Sequence, residues 1–361
     1  MNKHICFYLS SHGFGHIAGN LPIIMATLCR CEAKITLVCG ANHLDFAKRN
    51  LEQELPKELI DRVRYRPINT DIGLINREGT LLVDTGKLTE ICEYFLAKVP
   101  SLAKTEAEWL KREAVSAVLC DMPIWAMDAC DMAGVPFLYV GNFTWTELYR
   151  EFLPEHIWKE YAKRYGKIQH TMLYALNNEE MLEFLQNSEK TPTSVVARPI
   201  HNDEVQRIKS QHEKPPVFVA LGMSARFKQP IDVSHAPYDF ITTLGVPLVG
   251  ENVTVISNST PNTQDYIAAA DYVITKAGWG TVAECILAQR PMALFARDTV
   301  LEDRTTICKL QKLGLAISVT PENLHRVERV IEDLKQLDTS NFDTFYDAAS
   351  EIADKLISLM Q

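Results

Sequence analysis

The sequence predicts an α/β protein made of two doubly wound domains, and three observations carry that expectation. Short apolar, β-branched runs alternate almost continuously with amphipathic segments at 3.6-residue spacing, the pattern of βαβ units around parallel sheets. The alternation breaks once, in a polar stretch at 202–214 that ends in Pro215-Pro216, and then begins again. A chain of 361 residues also exceeds what one hydrophobic core usually organises.

In the first half the strand candidates are 4–9, 34–39, 63–67, 116–120 and 137–140, with helical pattern between them. Leu21, Ile24, Met25 and Leu28 define one apolar face by their i, i+3, i+4, i+7 spacing. Residues 144–185 are aromatic-rich and mostly helical in pattern, an elaboration unlike the tight units before it. The second series places strands at 217–221, 253–256, 272–275, 292–295 and 316–319, and a last helix at 342–359. The expected domains are 1–200 and 201–340, with 341–361 as a C-terminal helix packing back on the first. Two such domains in succession put a ligand crevice at the carboxyl ends of their strands.

Composition narrows the function classes. A net charge of -9 opposes nonspecific binding to nucleic acid or anionic lipid, because neutralising phosphates needs a basic face. No run approaches the roughly 20 apolar residues of a membrane span, and the N-terminal segment lacks a signal-peptide cleavage pattern. Peripheral membrane contact is left open. Nine cysteines, an odd number with no CxxC pair, fit a reducing compartment, and the expected location is cytoplasmic.

Four segments carry chemistry. The first strand runs into Ser10-Ser11-His12-Gly13-Phe14-Gly15-His16 and then into a helical pattern, so this turn faces the crevice. Gly13 and Gly15 allow close backbone approach, the helix start offers N–H donors, and a histidine there can act as a general base near neutral pH. Local hydrogen bonding alone accounts for two histidines at a glycine turn equally well, and a His12/His16 metal pair lacks the acidic partner of an HExxH pattern. The second segment, Lys276-Ala277-Gly278-Trp279-Gly280-Thr281, is again a strand-to-helix turn, able to hold a diphosphate. Glu284 follows one turn later, where a carboxylate can accept two ribose hydroxyls; read alone, it is a solvated helix residue or a first-turn dipole partner. The third, Leu221-Gly222-Met223-Ser224, repeats the strand-to-turn pattern. The fourth ends a strand at Asp121, where a carboxylate can orient a histidine or cap the next helix.

In this order and at these separations the segments resemble the GT-B glycosyltransferases of families one and twenty-eight, the latter including the lipid-linked N-acetylglucosaminyltransferase of peptidoglycan synthesis. The glycosyltransferase-like N-terminal domain of L-arabinokinases looks closer still, through Ser11-His12-Gly13-Phe14-Gly15-His16, Asn142-Phe143-Thr144-Trp145, Val195-Val196-Ala197-Arg198 and the 276–284 turn. The resemblance implies two Rossmann-like doubly wound domains facing each other across a cleft. It also implies His16 as base, Asp121 as its partner acid, and Gly278, Trp279, Gly280, Thr281 and Glu284 as donor-binding residues. Gly222 and Ser224 match a phosphate-side turn, and His12, Gly13, Gly15 and Asn142 are further cleft candidates.

The donor-sugar segment of the peptidoglycan enzyme has its counterpart only in Arg297-Asp298-Thr299-Val300-Leu301-Glu302-Asp303-Arg304, which makes Glu302 and Asp303 candidates and leaves the sugar open. The implied activity is transfer from a nucleoside diphosphate sugar, most simply a UDP-sugar, to a hydroxyl acceptor with inversion. It needs no metal, and no cofactor beyond the donor co-substrate; the partners are small molecules. A nucleotide-sugar hydrolase, a 2-epimerase and a catalytically silent nucleotide-sugar binding module are the alternatives. Oligomeric state is not readable.

Overall fold

The computed structural model describes residues 3–77, 82–221, 230–257, 260–295 and 300–360. The chain divides into two compact units, the first of Met1–Asn76, Val83–Val196 and Asp347–Gln361, the second of Arg77–Leu82 and Ala197–Tyr346.

The first unit holds β1 (His4–Leu9), β2 (Lys34–Cys39), β3 (Val63–Pro67), β4 (Ala117–Asp121), β5 (Phe137–Gly141), β6 (His170–Leu173) and β7 (Glu189–Pro192). They form one parallel sheet in the order β3-β2-β1-β4-β5-β6-β7. Chain order reverses between β1 and β4, whose carboxyl ends lie in register with Leu9 opposite Asp121. Every residue of β1 and β4 is buried, as central strands covered on both faces must be. Each fully buried leucine or isoleucine there contributes about 1.5–3 kcal/mol.

Helix Gly15–Arg30 lies directly after β1 and turns Ile17, Leu21, Ile24 and Leu28 inward. Met25 is only half-buried, so the inward face is rotated toward Ile17 relative to the sequence expectation. The chain's last helix, Ala349–Ser358, belongs to this unit and packs on Gly15–Arg30. Arg30 Nε is 3.1 Å from Asp354 Oδ1, Glu351 Oε2 accepts from Thr193 Oγ1 at 3.0 Å, and Ala348 N–H donates to Val195 O at 2.9 Å.

The second unit holds β8 (Pro216–Ala220), β9 (Ile231–Asp232), β10 (Asp239–Thr243), β11 (Leu248–Val249), β12 (Val253–Ile256), β13 (Tyr272–Lys276), β14 (Met292–Phe295) and β15 (Ala316–Val319). Its main sheet is parallel, in the order β12-β10-β8-β13-β14-β15, reversing between β8 and β13; β9 and β11 pair separately.

Several elements differ from the sequence expectation, which anticipated none of the strands β6, β7, β9, β10 and β11. β10, inside the second sheet, has only Phe240 and Ile241 as its fully apolar centre, too short a run to stand out between Asp239 and two threonines. Within 144–185 the helices Trp145–Arg150 and Glu155–Tyr165 are followed by strand β6, whose period is hidden in four residues. The final helix starts at Ala349, because residues Thr339–Thr344 form a 3₁₀ turn instead.

Candidate active site

At the reversal point of the first sheet, β1 leads into the loop bearing His12 and His16. Gly13 adopts φ +71°, which a side chain resists, so this position calls for glycine. Gly15 begins the helix, and a Cβ there would meet nothing within 4 Å, so the space above the first turn is open. His16 stands on that first turn. Its Nδ1 lies 2.9 and 3.1 Å from the two carboxylate oxygens of Asp121. Asp121 is 5% exposed and the His16 side chain 16%. An ionised carboxylate only accepts, so Nδ1 carries the hydrogen and Nε2 is the ring's basic nitrogen. Asp121 does not cap the following helix, which is capped at Pro123 without a side-chain bond.

Asn20, one turn beyond His16, adds a second donor. Its Nδ2 reaches Asp121 Oδ2 at 2.7 Å and the His16 carbonyl at 2.9 Å. The Phe143 ring lies 6.0 Å from the His16 ring, and Phe143 meets Trp145 edge-on. Asn142 itself is buried, and its carbonyl accepts from the Asn178 N–H at 2.7 Å.

His12 occupies different surroundings. Its ring meets Trp145 edge-on at 5.6 Å and fills the space beside Gly73, where a Cβ would fall 1.7 Å from His12 Nδ1. The loop after β3 is tied in by Asp71, whose Oδ1 accepts from Ser11 N–H at 2.8 Å and whose Oδ2 accepts from Trp145 Nε1 at 3.0 Å. Thr70 Oγ1 and Ser11 Oγ are 2.9 Å apart. Asp71, Thr70 and Asn20 were missed by sequence reasoning, since no local pattern distinguishes them from loop and helix residues.

At the second sheet's reversal point, β13 passes through Ala277 to Gly278, the N-cap of helix Trp279–Leu287. Regular i to i−4 bonding begins with Val282 N–H to Gly278 O at 3.0 Å, and no acid stands in the first turn. The partly exposed Trp279, Gly280 and Thr281 therefore form a positive dipole end suited to an anion. Glu284 is not a solvated helix residue. It is 5% exposed, and its Oε1 accepts from Arg198 Nε at 2.7 Å, while Arg198 Nη2 donates to Thr263 Oγ1 at 2.9 Å. Asp303 is buried and Glu302 half-buried in the first turn of helix Leu301–Lys312. Gly222 and Ser224 lie outside the described residues, as do Arg297, Asp298 and Thr299.

Residues 202–358 match the family model of the glycosyltransferase family 28 C-terminal domain. The chain is similar over nearly its full length to solved structures. UGT2 of Phytolacca americana, complexed with UDP-2fluoro-glucose and pterostilbene, superposes with TM-score 0.64 at 11% identity, covering 99% of both chains. CalG4, the calicheamicin glycosyltransferase, gives 0.64 at 13% identity over 100% of this chain and 99% of its own. The chain has the GT-B fold of these structures.

UGT89C1 of Arabidopsis thaliana complexed with UDP gives this GT-B chain a TM-score of 0.65 at 12% identity, with both chains covered in full. In sequence it is 26% identical over 154 residues to L-arabinokinase of Arabidopsis thaliana, a match taking in 42% of this chain and only 14% of the arabinokinase. Among the described residues no helix is long and apolar enough to cross a membrane.

Proposed function

We propose that the protein transfers a hexose from a nucleoside diphosphate sugar, a UDP-sugar first of all, to the hydroxyl of a small-molecule acceptor, with inversion and without a metal, in the cytoplasm. The observation that carries this is the His16–Asp121 pair at the first sheet's reversal point, 2.9 Å apart, on a chain whose second half matches a glycosyltransferase family model. His16 Nε2 takes the acceptor proton as that oxygen bonds to the anomeric carbon and the bond to the diphosphate oxygen breaks. Asp121 holds the imidazole and offsets its positive charge. Gly278, Trp279, Gly280 and Thr281 hold the diphosphate at the helix start, Gly222 and Ser224 are further donor-binding residues, and Glu284 takes the ribose hydroxyls. The neighbours complexed with UDP or a UDP-sugar support the donor class.

The test is a thermal-shift screen over UDP-, GDP- and dTDP-sugars, followed by product analysis with a panel of hydroxyl acceptors. A donor at 100 times its Kd stabilises by about 2.7 kcal/mol. No shift with any donor sinks the reading. Partial similarity to L-arabinokinase favours a second one, a donor-binding module without turnover, which predicts a shift and no product.

A further inference from the structure

We propose that Asn20 is a positioning residue that locks the His16–Asp121 pair into one tautomer and one ring orientation; this rests on reading His16 as the base. The helix buries Ile17, Leu21, Ile24 and Leu28, and its buried Thr27 bonds back within the helix to Ile23 O at 2.7 Å; Asn20, 3% exposed, also bonds outside it. Its two amide hydrogens go to the two ends of the pair: one to Asp121 Oδ2 at 2.7 Å, the other to the His16 carbonyl at 2.9 Å. Both partners are acceptors, so the nitrogen must be the atom placed there. Its Oδ1 is buried with no hydrogen-bond partner among the described residues. An apolar side chain would fill the same space without that cost, so the amide is not explained by packing.

The consequence for the pair is geometric. Nδ2 engages Oδ2, which leaves Oδ1 as the shorter contact of His16 Nδ1 and fixes the plane of the carboxylate. The same nitrogen holds the backbone of His16, so base and acid are tied to one amide across 101 residues of sequence. Without it the Asp121 carboxylate can turn about its terminal torsion, which is soft. The imidazole then samples both tautomers, and only one of them presents a basic Nε2.

The measurement is the long-range ¹H–¹⁵N spectrum of histidine-labelled protein at a pH where His16 is neutral, with His16→Gln assigning its signals. Wild type is expected to show Nδ1 pyrrole-like and Nε2 pyridine-like, widely separated. In Asn20→Leu and Asn20→Ala, checked for folding by their melting midpoints, the two nitrogens should move toward each other as the tautomers mix. Asn20→Ser, whose hydroxyl serves one acceptor at a time, takes their place if neither folds and should fall between. Wild-type separation in any folded variant overturns the proposal. No substrate enters this measurement. A collapsed separation with no turnover in wild type would therefore defeat the transferase reading alone, whereas turnover lost in His16→Ala beside unchanged nitrogens in the Asn20 variants would defeat this one alone.

Discussion

At the first sheet's reversal point, between β1 and β4, the candidate chemistry is in side chains: an imidazole and an amide nitrogen, each within 3.1 Å of one carboxylate. At the second, between β8 and β13, it lies in the main chain of a glycine turn and helix start, with one buried ion pair behind it. Both sheets reverse in the same way, and open parallel sheets of this order bind ligands at that point. The difference separates two tasks. Moving a proton needs a group of matched pKa held in one orientation, whereas holding a diphosphate needs only donors and a dipole, which backbone supplies whatever the sequence.

The largest effect expected from that division is on His16. Replacing it with alanine should lower turnover by about 10²–10⁴-fold while a nucleotide sugar still raises the melting temperature. His12→Ala, which removes a ring packed on Trp145, should cost far less. Equal losses, read from steady-state rates with the same donor, would break the asymmetry between the two histidines.

The second unit should respond in binding and stability. Glu284→Ala leaves Arg198 buried without its carboxylate, expected to cost about 3–5 kcal/mol in denaturant unfolding. Glu284→Gln still accepts from Arg198, so the fold should hold while donor affinity falls roughly tenfold, the difference between a charged and a neutral acceptor. Calorimetric titration showing unchanged affinity in the glutamine variant would remove Glu284 from the donor site.

Glu147 sharpens the contrast by showing what a buried charge costs the first unit. It closes a capping box with Thr144 at the head of Trp145–Arg150, and burial pushes its carboxyl up to about 7 from 4.5. An acid with a raised pKa binds more protons folded than unfolded. Its stabilising contribution is complete below pH 4.5 and lost as pH rises through about 7, on the order of 3 kcal/mol. Melting curves from pH 4.5 to 8 should fall less steeply for Glu147→Gln than for wild type. The smallest effect is expected at Gly13, where alanine at φ +71° costs roughly 1 kcal/mol, measurable as a shifted urea midpoint.

The fold was legible wherever a strand carried three or more consecutive apolar residues, as in 4–9 and 34–39. It was not where burial is shared out by neighbours, as in β10, whose threonines read as loop. In the candidate site, the turns bearing His16 and Gly278 are local features that glycine and strand ends announce. Their partners are not. Asn20 meets Asp121 across 101 residues and Arg198 meets Glu284 across 86, so only the folded sheet order brings them together. Glu284 taken alone reads as a solvated helix residue or a first-turn dipole partner for that reason.

The first unit is completed by the last helix, Ala349–Ser358, which packs on the helix that carries His16. Its sheet and the His16–Asp121 pair are encoded before residue 200, but one supporting wall comes from residues 347–361, on the far side of the second unit in sequence. During synthesis, the second unit can therefore finish folding while the first still waits for its closing piece, and domains generally fold as units when their chain is complete. The unit that carries the His16–Asp121 pair therefore closes only after the whole of the second unit has been synthesised.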